Sequence, residues 1–424
     1  MRRCSWARGV GGVPPEEVVV SVPEVDVAIV GAGAAGLSLA RLLADPVTGG
    51  WAGDRAPPVV VLLQTPEARL RPADRTWCWW EEPPGDLDGL TFASWPRVRV
   101  YDPGGGAVES DIAPYRYHMI RSADYERAVG RCLDRGGVVR RVSATVTGIS
   151  DHRDDAAEVR CVLPGGARWQ VRARWVFDSR PPSPLPAART VLLQHFRGWF
   201  VRTREPRFDP DVVVLMDLRV PQPECGLAFG YVVPFDRCAA LVEYTGFSRA
   251  VLGVAAYETA LRRYAGDVLG LGRYRVEAAE QGVIVMTDAV FPRRVGRRVF
   301  RIGAAGGATR PSTGYTFAAT QRQVRAVAAA YAAGRTPVPP PAYSARARAL
   351  DAVLLRALDT GRVEGADFFA RLFRRNRAGT LLRFLDGSTR WHQDARIGLT
   401  TPVGPMLRTA VELPWVRRGA AGGG

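Results

Sequence analysis

Three glycines near the start of the chain have a spacing that suits phosphate binding. Gly31, Gly33 and Gly36 follow the apolar run of residues 25–30 and precede a helical pattern of leucines. In such a turn the first glycine makes the turn, the second lets the backbone approach a pyrophosphate, and the third lets the helix pack on the strand. Free N–H groups and the helix macrodipole attract the anion. The sequence therefore predicts a bound dinucleotide, with a glycine-rich turn of purely structural role as the alternative.

The end of the second predicted strand, residues 59–63, should reach the ribose of such a ligand. An acidic residue is expected there, but Gln64 holds the position and Glu67 follows three residues later. An amide hydrogen-bonds a diol more weakly than a carboxylate does. We assign Gln64 to the cofactor site, and the motif alone does not decide between FAD and a nicotinamide.

Glu243 is the candidate for acid chemistry. It follows the apolar residues 239–242 and precedes Tyr244 within an otherwise hydrophobic strand. An apolar setting raises the pKa of a carboxylic acid and lets it act as a proton donor. A glutamate on the solvent face of the strand is the alternative.

A second glycine-rich turn comes late in the chain, between a strand at 299–303 and an alanine-rich helix from about Phe317 to Ala333. Free backbone N–H groups in such a turn can face a cofactor or its phosphates, and a glycine-rich packing turn is the alternative. We assign to the cofactor site Gly303, Gly306, Gly307, Pro311 and Gly314.

The elements that must position these residues indicate an α/β protein. The strand–turn–helix–strand pattern predicts a Rossmann-like domain with parallel strands, and the later strand and helix make this domain discontinuous. The β-branched runs between its two parts predict an antiparallel sheet that serves as the substrate domain. The expected divisions are a disordered leader (1–24), the dinucleotide-binding domain (25–185 and 291–335), the substrate domain (186–290), a C-terminal helical region (342–415) and a disordered tail (416–424).

Composition argues against several classes of function. The formal net charge is +16, but every basic residue is arginine and the arginines are spread along the chain. A nucleic-acid binder would concentrate them on one element, so no nucleic-acid partner is expected. The six cysteines have no C-x-x-C spacing, which predicts neither a disulfide framework nor a metal site. No run reaches the ~18 apolar residues of a membrane span.

Strings of residues throughout the chain resemble, in order, the successive motifs of the lycopene cyclase family. The resemblance extends from Asp26 to Gly387. The strings are residues 75–80 (RTWCWW), 177–181 (FDSRP), 194–199 (QHFRGW), 215–219 (LMDLR), 241–245 (LVEYT), 280–286 (EQGVIVM), 302–307 (IGAAGG), 311–315 (PSTGY), 368–369 (FF) and 383–387 (RFLDG). Two departures are Val285, where the family has proline, and Ala304, where threonine is common.

The resemblance implies a flavoprotein similar in fold to geranylgeranyl reductases and aromatic hydroxylases. It implies reduced FAD as the cofactor, NAD(P)H as the electron source, and closure of β-ionone rings on lycopene, giving γ-carotene or β-carotene without net oxidation. The family has an essential glutamate in the motif that residues 241–245 (LVEYT) resemble, and Glu243 stands at that position. We place Arg75 and Asp178 at the cofactor site and expect Asp178, with Arg180, to fix the junction between the lobes.

Ring closure needs an acid, a stabiliser for a carbocation and a dry cavity. Aromatic side chains offer apolar area and π-faces to a cation, although such residues also serve simply as core. His195 is either a base or a hydrogen-bonded structural histidine, and we favour the structural role. The residues expected to line the polyene site are Trp77, Trp79, Trp80, Trp199 and Tyr244.

A hydrocarbon substrate implies contact with a bilayer. Phe368, Phe369, Leu372 and Phe373 fall near one helical face with arginines around them, a pattern typical of a basic interfacial helix. A core helix with a charged outer face is the alternative. We expect peripheral association with the inner face of a bacterial membrane.

The competing functions are a geranylgeranyl reductase or monooxygenase, and a non-catalytic carotenoid carrier.

Overall fold

A computed structural model describes residues 20–45, 57–67, 74–152 and 155–419. The predicted leader and tail lie outside these residues except at their inner ends. Residues 20–24 belong to the first strand rather than to a disordered leader, and Gly419 pairs with Ala188 in an isolated bridge rather than lying in a disordered tail. The sequence also predicts a loop rich in glycine and proline at residues 46–58, and most of it lies outside the described residues.

The strands of the described residues, in chain order, are β1 (Val20–Val30), β2 (Val60–Gln64), β3 (Thr76–Glu81), β4 (Ala93–Trp95), β5 (Arg97–Tyr101), β6 (Ala107–Asp111), β7 (Arg116–Arg121), β8 (Val139–Ser143), β9 (Thr145–Asp151), β10 (Ala157–Val162), β11 (Arg168–Asp178), β12 (Val191–Thr203), β13 (Val212–Asp217), β14 (Leu227–Pro234), β15 (Ala239–Ser248), β16 (Tyr274–Thr287) and β17 (Val299–Arg301). The α-helices are α1 (Ala34–Ala44), α2 (Ser122–Gly136), α3 (Val254–Arg263), α4 (Phe317–Ala332), α5 (Ala345–Asp359), α6 (Gly365–Arg375), α7 (Ala378–Leu385), α8 (Trp391–Gly398) and α9 (Val403–Glu412).

The first sheet is the predicted Rossmann-like layer. Parallel pairing gives the order β8-β2-β1-β11-β17, and β10 and β9 extend β11 as an antiparallel ribbon. Apolar side chains of β1 and β2 pack on α1, α2 and α4 in one buried cluster. Because β17 and α4 return from the far end of the chain, the layer is discontinuous in sequence, as predicted.

The second sheet forms the substrate layer, in the order β16-β12-β15-β14-β13-β5-β6. It is antiparallel except between β13 and β5, which pair in parallel. Strands β5 and β6 come from residues 97–111, a segment that we had assigned to the first domain, so that boundary is wrong. Val98 and Val100 of β5 pack into the core beneath this sheet. The short alternating pattern of β5 fits any half-buried strand and does not reveal which strand it pairs with.

A small third sheet, in the order β3-β7-β4, and the C-terminal helices enclose the second sheet. The apolar face of α6 lies inside this core: Phe368, Phe369, Leu372 and Phe373 are all buried. The prediction that α6 is an interfacial membrane helix is therefore wrong, and the core-helix alternative holds. Among the helices of the described residues, none combines the length and apolar character that a membrane span needs.

Candidate active site

The turn between β1 and α1 has the geometry that its glycines predict. Gly31 has a φ of +96°, which favours glycine. A Cβ on Gly36 would collide with the carbonyl oxygen of Gly31, so the third glycine is needed for close packing. Among the described residues, no atom lies within 4 Å of the Cβ position of Gly33. The first N–H groups of α1 therefore border open space of the kind that a pyrophosphate requires.

The turn after β17 meets this first turn. Gly303 has a φ of +65°, and a Cβ there would lie 2.7 Å from the Cβ of Ala35 on α1. Its N–H donates to Gln323 Oε1 at 2.8 Å. Gly306 lies in the same 3-10 turn, and Gly307 ends it with a φ of +77°. Both glycine turns thus lie at the carboxyl ends of parallel strands of one sheet, on either side of β11, where open α/β sheets bind their ligands.

Two further residues assigned to the cofactor site have protein partners. Gln64, at the end of β2, donates its amide N–H to Glu126 Oε1 at 2.9 Å. Asp178, at the end of β11, accepts two hydrogen bonds of 2.9 Å from the guanidinium of Arg180. Arg180 also donates to the carbonyl of Val146 on β9. The pair therefore braces the first sheet internally, which corrects the expectation that it fixes the junction between the lobes.

A largely apolar pocket with a cavity volume of ≈ 190 Å³ is lined in part by the loop that follows the second glycine turn. One face of the second sheet forms its floor. The lining residues are Thr76, Trp77, Cys78, Tyr117, Gln194, Phe196, Leu215, Met216, Phe229, Tyr231, Glu243, Thr245, Phe247, Ile284, Thr313, Gly314, Tyr315, Thr316, Phe317, Phe369, Phe373 and Leu385.

The loop of residues 310–316 joins the glycine turn to this pocket. Arg310 is buried and its Nε lies 2.8 Å from Asp351 Oδ2, which anchors the loop. Pro311 follows Arg310, and Gly314 has a φ of +73°. A Cβ on Gly314 would collide with Gln194 Oε1 and lie 3.5 Å from Ile284 Cγ2. The loop therefore lies directly against the pocket floor, so a ligand along the two glycine turns would end beside the pocket.

Glu243 points into this pocket from β15. Its side chain is buried, and Thr245 Oγ1 donates to Glu243 Oε1 at 2.5 Å. Burial, and then the negative charge of Glu280, raises the pKa of Glu243 to about 8. The predicted burial of Glu243 is confirmed. A carboxyl with this pKa keeps its proton at neutral pH, which is the state that a proton donor requires.

The interpretation of the sequence missed a second buried carboxyl, Glu280 on β16. It accepts hydrogen bonds from Thr76 N at 2.9 Å and Thr76 Oγ1 at 2.8 Å. Burial raises the pKa of Glu280, whereas the bonds from Thr76 and the charges of Arg75 and Arg121 oppose that rise. Because only Glu280 has these stabilising partners, we assign the carboxylate to Glu280 and the proton to Glu243. Arg75 thus lies beside Glu280, and burial lowers its pKa.

A signal for this pair exists in the sequence at Gly198. Gly198 on β12 is in register with Glu243 on one side and Glu280 on the other. A Cβ there would lie 3.5 Å from Glu243 Cβ and 3.5 Å from Glu280 Cγ. An isolated glycine inside a strand often marks such a close approach.

The other ionisable side chains that line the pocket with Glu243 stay neutral. Burial raises the pKa of the Cys78 thiol to about 12 and also raises the pKa values of Tyr117 and Tyr231. The hydroxyls of Tyr117 and Tyr231 lie 3.0 Å apart. The pocket therefore combines one proton-bearing carboxyl with neutral polar groups and apolar walls.

Only one of the five residues predicted to line the polyene site does so. Trp77 lines the pocket and stacks on Phe317 with ring centroids 5.4 Å apart. Trp79 and Trp80 are buried behind the wall, where Trp80 meets the lining residue Tyr315 edge-on. Trp199 and Tyr244 pack on the opposite face of the second sheet, because alternate residues of a strand face opposite sides. The prediction is therefore wrong for these four residues.

His195 also lies on that opposite face. Its Nδ1 is 2.7 Å from the Tyr257 hydroxyl and its Nε2 is 2.9 Å from Ser248 Oγ. Both ring nitrogens are engaged and the ring is buried. The structural role that we favoured for this histidine is confirmed.

Comparison with known families agrees with the resemblance found in the sequence. The family model described as lycopene cyclase protein matches residues 26–411. The chain belongs to the lycopene cyclase family. No curated protein matches the sequence significantly.

Solved structures share the fold of this lycopene cyclase family member at low sequence identity. A geranylgeranyl bacteriochlorophyll reductase-like protein from Thermoplasma acidophilum is 14% identical with a TM-score of 0.57, over 93% of this chain and 99% of the other. A flavoprotein/dehydrogenase from Cytophaga hutchinsonii is 12% identical with a TM-score of 0.61, over 92% and 98%. The p-nitrophenol 4-monooxygenase from Pseudomonas putida is 17% identical with a TM-score of 0.55, also over 92% and 98%. The predicted fold class is confirmed.

Proposed function

We propose that this protein is a lycopene β-cyclase that uses reduced FAD. The observation that carries the proposal is Glu243, a buried carboxyl with a pKa of about 8 in an apolar pocket that is lined in part by the loop after the second glycine turn. Gly31, Gly33 and Gly36 would hold the pyrophosphate of FAD, and the turn at residues 303–307 would lie along its ribityl chain. The 310–316 loop would bring the flavin end of the cofactor beside the pocket.

Glu243 begins ring closure in this proposal. Its carboxyl transfers a proton to the terminal double bond of lycopene, which leaves a tertiary carbocation and the Glu243 carboxylate. The neighbouring double bond of the polyene attacks the cation and closes a six-membered ring. Loss of a proton from the ring carbon to the carboxylate forms the β-ring double bond. The product has the same formula as the substrate, so no electrons are transferred.

The pocket favours this chemistry in three ways. Apolar walls such as Phe196, Phe229 and Phe369 exclude water that would trap the carbocation. The π-face of Trp77 and the carboxylate of Glu280 stabilise positive charge. Bound reduced FAD would supply a further negative charge next to the cation, and NAD(P)H would maintain the reduced state without consumption in each turnover.

Expression in a lycopene-accumulating bacterial host tests the proposal. The native chain should convert lycopene to monocyclic or bicyclic products with β-rings, and Glu243→Gln should reduce ring formation at least 100-fold, as expected for loss of a general acid. Glu277→Gln is the matched control, because Glu277 lies on β16 with its side chain 36% exposed. Unchanged ring formation in Glu243→Gln would favour another proton donor, and a native chain that forms no rings would favour a carrier.

Cofactor stoichiometry separates the main rival. A geranylgeranyl reductase or monooxygenase would oxidise one NAD(P)H for each reduction or hydroxylation. A cyclase would form many rings per NAD(P)H oxidised once the flavin is reduced and oxygen is excluded. Equal amounts of product and oxidised nicotinamide, with a change in product mass, would contradict the cyclase proposal.

We also propose that the protein meets its substrate at an anionic membrane surface, through α9 rather than α6. Val403, Leu407 and Val411 recur every four residues on α9 and are exposed, with Trp415 85% exposed just beyond the helix. Residues four apart share one helical face. Exposed arginines at 396, 408 and 417 surround this row. Apolar residues with an interfacial tryptophan and flanking arginines fit an anionic lipid surface.

A further inference from the structure

Three potential metal ligands converge away from the pocket, on the side of the small third sheet. They are Glu81 at the end of β3, His118 on β7, and Asp88 in the turn between β3 and β4. The nearest ligand atoms of all three lie within 4.8 Å of one another. These residues come from three separate chain segments, so no short spacing in the sequence reveals them.

The local packing holds the imidazole in place. His118 is in register with Trp79 on β3, and the two rings stack with centroids 5.2 Å apart and planes at 20°. Glu81 lies two residues beyond Trp79 on the same strand, so its side chain is on the same face of the sheet. Stacking against Trp79 therefore holds the imidazole on the face from which Glu81 projects.

The histidine itself indicates a missing ligand. The His118 side chain is only 3% exposed, yet neither ring nitrogen has a hydrogen-bond partner within the part of the chain that the structure describes. Glu81 Oε1 is also buried without a partner there. Buried polar atoms are nearly always satisfied, and an ion is one of the groups that satisfies them. These three unpartnered atoms on two side chains of one cluster call for a shared ligand.

The turn that carries Asp88 is shaped around the two carboxylates. Gly85 N donates to Asp88 Oδ2 at 2.9 Å, which orients the carboxylate of this exposed residue. A Cβ on Gly85 would lie 2.6 Å from Glu81 Cδ. The turn thus lies so close to Glu81 that only glycine fits at residue 85 without a shift of the Glu81 side chain.

We propose that Glu81, Asp88 and His118 bind one divalent transition-metal cation of the zinc or manganese class. An imidazole nitrogen with two carboxylate oxygens is a donor set suited to such cations. The two carboxylates balance its charge, and water completes the coordination on the open side of Asp88. Ligand-to-metal distances near 2.0–2.2 Å require a small closing movement, which the exposed Asp88 side chain permits.

The cation would fasten the turn between β3 and β4 to the strands that form one wall of the pocket. Thr76, Trp77 and Cys78 on β3 and Tyr117 on β7 all line that pocket. None of the three metal ligands lines it. The inferred role is therefore structural, and it does not depend on ring closure.

Metal analysis of the untagged full-length protein tests the proposal. After chelator treatment, dialysis against Zn²⁺ or Mn²⁺ and removal of free metal, the native chain should retain close to one equivalent and should melt at a higher temperature than its chelated form. His118→Ala and Glu81→Gln should lose the bound metal. His152→Ala is the matched control, because this histidine is 45% exposed and lies outside the cluster.

Asp88→Asn keeps the proposal testable if the buried variants fail to fold. Asp88 is exposed, so this change should preserve the fold while weakening metal binding at least tenfold. Metal retained at native affinity in Asp88→Asn and Glu81→Gln would overturn the proposal. Native protein that binds neither Zn²⁺ nor Mn²⁺ would also overturn it, and a direct contact between His118 and a carboxyl would then explain the cluster.

Discussion

Glu243 and Glu280 lie on the same face of one sheet, on opposite sides of Gly198. No side chain separates the two carboxyls at this point, because the residue between them is glycine. Thr76 donates two hydrogen bonds to Glu280, whereas Glu243 accepts one from Thr245. The unequal number of donors divides the pair into a carboxylate and a neighbouring acid that keeps its proton.

Removal of the charge on Glu280 should change the pKa of Glu243 while leaving its carboxyl group in place. The negative charge of Glu280 contributes to the raised pKa of Glu243. Glu280→Gln should therefore lower the pKa of Glu243 and move the alkaline limit of cyclase activity to lower pH. The pH profile of kcat measures this shift, with Glu277→Gln as the control on the same strand. An unchanged alkaline limit would show that the two carboxyls do not interact.

Removal of the hydroxyl of Thr245 should have the opposite effect. Its hydrogen bond to Glu243 stabilises the carboxylate and lowers the pKa of that group. Thr245→Val keeps the shape of the side chain but removes the bond, so the alkaline limit should move to higher pH. The same pH profile detects the change. A shift to lower pH would contradict the assignment of Thr245 as a donor to Glu243.

The buried acid should also make stability depend on pH. Glu243 has a pKa of about 8 in the folded protein against 4.5 for a free glutamate. Between these values unfolding releases its proton, so the native protein loses stability as the pH rises, by at most about 1.4 kcal/mol per pH unit from this group. Below pH 4.5 Glu243 does not make the stability depend on pH. Above pH 8 the loss of stability from this group does not increase further.

Glu243→Gln removes this titration. The free energy of unfolding of the variant, relative to the native protein, should therefore rise between pH 4.5 and 8 and then level off. Denaturant melts across this range measure the difference. A difference that stays constant with pH would mean that Glu243 titrates normally and is not a buried acid.

Membrane association should depend on the exposed row of α9. Leu407→Asp combined with Val411→Asp should abolish most flotation of the protein with anionic liposomes, because charged groups do not enter the apolar part of a bilayer. Val254→Asp is the matched control, since Val254 is 53% exposed on α3. Equal flotation of the α9 variant and the control would exclude α9 as the contact. A native chain that does not float would refute the association itself.

The sequence predicted the parts of the molecule that depend on local pattern. The glycine spacing at residues 31–36 requires a strand, a tight turn and a helix, and these elements formed as expected. The apolar context of Glu243 indicated burial, which the structure confirms. Such features depend on residues that are close in the chain.

The predictions that were wrong or missing concern contacts between residues that are distant in the chain. Trp199 and Tyr244 looked like lining residues, but strand alternation places them on the opposite face from Glu243. The aromatic face of α6 looked like a membrane contact, but Phe369 and Phe373 are covered by the second sheet and line the pocket. Glu280 was missed because its partner Thr76 lies 204 residues away.

The proton on Glu243 is the central claim, and infrared spectroscopy measures it directly. At pH 6 to 7 the native protein should show the carbonyl stretching band of a protonated carboxylic acid, and this band should vanish in Glu243→Gln and titrate with a pKa near 8. Its absence from the native spectrum at neutral pH, with Glu243 present only as carboxylate, would contradict the proposed proton donor.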